Sequence, residues 1–111
     1  MQVDQNFSTR RGDSCLVQFA LMNSADEPYT LDDLTNANIV WRYSYYEHGP
    51  WLQEFPQTVI DAGGGTAGIN VDVPTDTAGI FFHEIEMNML GLISTLAIGR
   101  FDVSMDMAAP A

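Results

Sequence analysis

The sequence predicts an all-β domain, a sandwich of two packed antiparallel sheets with about seven strands. Three features lead there: apolar residues recur at period two in short segments, clusters of Gly, Pro, Asn and Asp separate those segments, and only the stretch LDDLTNAN argues for a helix.

The elements follow in order. Cys15, Val17, Phe19 and Leu21 alternate with a set containing Gln18, so the first set faces inward, and the turn NSADEP ends this strand. In LDDLTNAN, Thr30 is placed to cap a short helical segment with Asp32 and Asp33 near its start, one turn at most. From Asn38 to Tyr45, the residues Ile39, Trp41, Tyr43 and Tyr45 form an aromatic inner face, with Val40, Arg42 and Ser44 between them. Trp41 is the expected centre of the core. EHGPWLQEFPQ holds two prolines and a glycine and predicts an irregular connection or a weak edge strand, since proline donates nothing to a ladder.

A short strand is expected from Thr58 to Asp61, then a turn at Gly63, Gly64 and Gly65. Ile69, Val71 and Val73 then alternate with Gly68, Asn70 and Asp72, and Pro74 stops that strand. PTDTAG crosses to a strand from Ile80 to Asn88, in which Phe81, His83, Ile85 and Met87 share one face and Phe82, Glu84 and Glu86 the other. A hairpin near Asn88 to Gly91 returns the chain as a last strand, Leu92 to Val103, with a bulge expected at Gly99. Residues 1–6 are expected to be a loose arm and residues 104–111 a loose tail. The expected core comprises Trp41, Val17, Phe19, Ile69, Val71, Phe81 and Ile85. Hairpins mixed with long cross-connections at this strand spacing suggest a sandwich of immunoglobulin type. No second cysteine exists to bridge the sheets, and Cys15 reads as a small core residue.

Composition limits the function. The 111 residues carry 15 acidic side chains against four arginines and no lysine, a net charge of -11. That length predicts one domain over residues 1–111. Nucleic-acid binding is disfavoured because no cation cluster is present to displace phosphate counterions. No apolar run approaches the roughly 20 residues of a membrane span, and the opening MQVDQNFSTRRGD lacks the charged-then-apolar order of a secretory signal.

Little in the sequence suggests catalysis. His83 lies in FFHEIEM with apolar neighbours and reads as a structural histidine, while His48 in HGP reads as a solvated turn residue. His83 and Glu84 point to opposite faces of one strand and do not converge on a metal, and Asp32, Asp33, Asp72 and Asp76 lack the ligand order of a calcium loop. Glu84 and Glu86 read as a solvent-facing stripe. Arg11, Gly12 and Asp13 spell an adhesion tripeptide but read as a tight turn between the first two strands. The chain is therefore expected to be no enzyme and to use no cofactor or metal.

Aromatic residues outside the expected core are more informative. Trp51, Phe55, Tyr46 and Phe82 are spare in this sense and suggest an interface. The expected docking set is Trp51, Leu52, Phe55 and Tyr46 with the N-terminal arm from Gln2 to Phe7. Trp51 with Glu47 and His48 is the one cluster suited to a glycan.

Several segments together resemble the small immunoglobulin-like structural proteins of tailed bacteriophages, including the N-terminal domain of baseplate upper proteins. The residues that carry the resemblance are Gly12 and Asp13, Leu31 and Leu34, Trp41, Asp76 and Thr77, Gly79 with Phe81 and Glu84, and Gly99 with Phe101 and Val103. They span nearly the whole chain and are markers of fold. The resemblance implies a non-enzymatic virion component, made in the host cytoplasm and carried on the virion, with the outer capsid surface as the expected location. The expected function is that of a capsid decoration, or cement, protein that binds the major capsid protein and neighbouring virion proteins, with self-association as a further contact. The short chain favours this over a baseplate upper protein, which would continue into a long second region. The alternatives are a neck, tail or baseplate protein of the same fold, and a host-surface or glycan-binding module.

Overall fold

The computed structural model describes residues 3, 4 and 6–105. Nine strands occur among them: β1 (Val3–Asp4), β2 (Phe7–Arg10), β3 (Leu16–Ala20), β4 (Ala37–Ser44), β5 (Gln53–Gln57), β6 (Ile60–Gly63), β7 (Thr66–Asp72), β8 (Gly79–Met89) and β9 (Leu92–Ser104). The larger sheet has the order β1-β9-β8-β4-β5, with β2 also paired to β9, and the smaller has the order β3-β7-β6. The two sheets pack as a sandwich. Nine strands stand where about seven were expected, partly because the N-terminal segment contributes two short strands.

That segment departs from the expectation of a loose arm. Val3 and Asp4 pair in parallel with Ala97 and Ile98, and Phe7 to Arg10 pair in parallel with Phe101 to Ser104. Between them, Asn6 Oδ1 accepts the backbone N–H of Arg100 at 2.8 Å. Gln2, within the expected docking arm, and residues 106–111 of the expected tail lie outside the described residues.

The period-two pattern gives the core its faces. Phe19, Leu21, Ile69, Val71 and Val73 come from the smaller sheet and its strand ends, and Ile39, Trp41, Phe81, Ile85, Phe101 and Val103 from the larger. All of these are buried. Val17 is half-buried and packs against them, as does Cys15. Tyr45 departs from the expected inner face: it lies beyond the end of β4, 48% exposed, and stacks on Phe81 at 5.3 Å.

Local chemistry closes the turns. In NSADEP, Asn23 Oδ1 accepts from the backbone of Ala25 at 2.8 Å and Glu27 at 3.0 Å. Thr30 and Asp33 exchange hydrogen bonds, each side chain accepting the other's backbone N–H, which braces the chain where it enters the 3-10 turn Asp32–Leu34. The β6–β7 hairpin turns through three glycines, all with positive φ, while Asp61 Oδ1 gathers the N–H groups of Gly63 and Gly65. Within β7, a Cβ on Gly68 would sit 2.8 Å from that of Ala62 and 2.9 Å from the carbonyl oxygen of Phe19, so only glycine fits there.

In the long β8–β9 hairpin the bulge lies at Leu96, not at Gly99 where it was expected. Ile85 pairs with Ala97 and Glu86 with Thr95, so Leu96 is the extra residue, whereas Gly99 pairs regularly with His83. The bulge allows Leu96 and Ala97, adjacent in sequence, both to be buried.

Candidate functional site

The outer face of the larger sheet is organised by Arg42. On β4 it stands between Glu54 of β5 and Glu84 of β8 in register. Its Nη1 donates to Glu54 Oε1 at 3.0 Å, its Nε to Glu84 Oε1 at 3.0 Å and its Nη2 to Glu86 Oε2 at 2.6 Å, with a further Nη2 contact to Glu84. The Trp51 ring lies over the guanidinium, with its centroid 4.5 Å from the central carbon. Burial pulls the Arg42 pKa down, but its hydrogen bonds to Glu84 and Glu54 and the charges of Glu84 and Glu86 outweigh it and leave the group raised. Glu84 is thus no part of a solvent-facing stripe. It is buried, because a cation on the neighbouring strand compensates its charge.

The residues expected to dock a partner separate into three groups. Phe55 lies on β5 opposite Trp41, and its ring stacks on those of Trp41 and Tyr43. Phe7 lies opposite Phe101, stacks on it at 5.1 Å and also meets Phe19 of the other sheet. Both therefore turn inward, at opposite edges of the larger sheet, instead of lining an outer patch. Trp51 is half-buried over Arg42. Tyr46 and Leu52 remain exposed, at 67% and 44%. Leu52 and Tyr45 border a groove of about 400 Å³ with Tyr43, Pro74, Asp76 and Phe81 at one end of the sandwich.

The glycan-suited cluster does come together. Trp51, Glu47 and His48 line a cleft of about 170 Å³ with Phe82, Glu84 and Arg100. The cleft is small beside the 300 Å³ or more of ordinary ligand pockets, and Arg42 occupies one face of Trp51.

His83 is buried in the core. Trp41 Nε1 donates to its Nδ1 at 3.1 Å, and the rings of Phe7, Phe19 and Phe101 surround it. Asp13 donates its backbone N–H to the carbonyl of Arg10, closing the turn expected at Arg11 to Asp13. Thr75 then pins that turn through its hydroxyl, which donates to the Asp13 carbonyl at 2.7 Å.

One surface was missed from sequence. At the far end of the sandwich the β8–β9 hairpin turns on Leu90 and Gly91, both with positive φ, and leaves Leu90, Leu92 and Ile93 exposed. The signal lay in MNMLGLISTLAIG, residues 87–99, the longest stretch of the chain without a charged side chain. A leucine in the left-handed region, where Asn or Gly is favoured, adds local strain.

The class these features define is a two-layer all-β sandwich with apolar surface at both ends. No protein-family model matches the chain, and no curated protein matches it significantly.

Proposed function

We propose that the chain is a non-enzymatic structural protein of a tailed-phage virion, a decoration protein that bridges capsid subunits, with an immunoglobulin-like fold. The observation that carries this is the placement of apolar surface at both ends of one rigid sheet. Tyr45, Tyr46 and Leu52 lie at one end, and Leu90, Leu92 and Ile93 at the other. From Phe81 to Leu90 the strand spans roughly 30 Å at about 3.3 Å per residue. A small domain with two separated contacts suits a clamp across a seam, where buried area at each end adds to cohesion and many copies multiply it.

Strand order supports the immunoglobulin-like part. The order β3-β7-β6 matches strands B, E and D of that fold, and β4-β8-β9 matches C, F and G, with Trp41 at the position of the buried strand C tryptophan. A chain with 15 acidic groups against four arginines favours solubility and exposure on the outside of a particle.

Quantifying this chain against the major capsid protein in purified particles tests the proposal. Copies in the hundreds, with heads made fragile to heat when the chain is absent, are the expected result. A few to a few dozen copies with intact heads would place it instead in the neck, tail or baseplate. Absence from particles, together with binding to host glycans, would overturn the virion role.

A further inference from the structure

We infer that the groove at the Tyr45 end of the sandwich receives an arginine side chain of a basic partner protein, stacked on Tyr45 and paired with Asp76. The groove, about 400 Å³, opens where β4 leaves the larger sheet and the β7–β8 connection crosses over from the smaller one. One wall is aromatic: Tyr45, 48% exposed, stacks on Phe81 at 5.3 Å, and Tyr43 meets Phe81 edge to face. Acceptors border that wall. Asp76 projects from the β7–β8 connection, and Gln53 Oε1, which accepts the Tyr43 hydroxyl at 3.1 Å, keeps a second lone pair. After burial, the charge of Asp76 is the next cause that raises the Tyr43 phenol, so the field of the carboxylate is felt across the groove.

Charge complementarity names the occupant. The Asp76 carboxylate joins no ion pair among the described residues, whereas Arg42 is held by Glu54, Glu84 and Glu86, and Arg100 lies beside Asp102. A carboxylate next to an exposed aromatic face suits a cation. Arginine fits better than lysine, since its planar guanidinium stacks on a ring while its N–H fork reaches a carboxylate. The chain already holds an arginine in this way: the Arg42 guanidinium lies 4.5 Å from the centre of the Trp51 ring and donates to three glutamates. The groove repeats the ring and the carboxylate, and none of its lining residues is a cation. A second copy is a poor source of the arginine, because chains of net charge -11 repel one another, and residues 106–111, DMAAPA, contain no basic side chain. The inference concerns the purified chain and stands or falls separately from the virion role.

Amide chemical-shift mapping on the full chain tests it, with a blocked five-residue peptide of one arginine among glycines as the probe. Shifts are expected to concentrate at Tyr45, Gln53, Asp76 and Phe81. Asp76→Asn and Tyr45→Ala should each weaken binding by about threefold to fivefold while the spectrum away from the groove stays that of the wild type. A citrulline peptide, of the same shape without the charge, should leave the groove unmoved, and a lysine peptide should bind more weakly. Absence of any shift, shifts spread over the whole acidic surface, binding indifferent to both substitutions, or a citrulline or lysine peptide bound as well as the arginine one would overturn the site. Groove shifts that follow protein concentration with no peptide present would overturn it too, and would assign the groove to a second copy.

Discussion

Trp41 and His83 form a hydrogen-bonded pair inside the sandwich, the indole N–H donating to Nδ1 at 3.1 Å with both side chains almost wholly buried. The acceptor role of Nδ1 requires that this nitrogen carry no proton. A residue that reads as a catalytic candidate by type is thereby committed to satisfying the one polar atom of the central tryptophan.

Trp41→Ala is expected to destabilise the fold by about 3–5 kcal/mol, since it empties the space between Tyr43, Phe55 and Phe101. It also leaves His83 without this donor. The urea midpoint measures the loss, and a cost below about 1 kcal/mol would show that Trp41 is not central to the packing.

Arg42→Met should cost about 2–3 kcal/mol, because buried Glu84 loses its counter-charge, while partial exposure of Arg42 tempers the loss. Adding Glu84→Gln should restore much of it. A double-mutant cycle on thermal or urea unfolding reads the coupling, and strict additivity of the two changes would mean that Glu84 tolerates burial without Arg42.

Alkali should weaken the fold through Tyr43. Burial, followed by the charges of Asp76 and Tyr45, raises its phenol above the ordinary value of 10.0, and its hydroxyl donates to Gln53 Oε1. The folded state therefore holds the proton more tightly than the unfolded chain. Its contribution is fully present below about pH 10 and is lost as pH rises through the folded value. Urea midpoints taken across that window should fall more steeply for the wild type than for Tyr43→Phe, and equal slopes would remove Tyr43 as the cause.

Much of this arrangement was legible in the sequence because period two is a local signal. The alternation of β4 and β8 predicted the inner faces, including the side on which His83 lies, and the prolines marked β5 as an edge strand, with Pro56 pairing opposite Val40. The missed features are non-local. Phe7 faces inward because its segment pairs with a strand some 94 residues later, and local alternation carries no trace of that pairing. Phe55 is hidden by the same prolines that reveal the edge. Glu84 is buried because Arg42, 42 residues away in sequence, lies beside it. The bulge at Leu96 could not be separated from Gly99 because TLAIG is nearly continuous in apolar character. The turn at Leu90 and Gly91 lies where the hairpin was expected, but its exposed apolar surface was missed, since apolar residues near a turn do not announce whether they are covered.

The parallel pairing of β2 with β9 gives the domain a mechanical polarity. Tension applied through the two ends of the described chain pulls β2 and β9 in opposite directions along their shared axis. All the ladder bonds from Phe7 to Arg10 then carry load together, instead of opening one by one as in a hairpin. A force-extension trace should show a single high rupture peak that Phe7→Pro lowers.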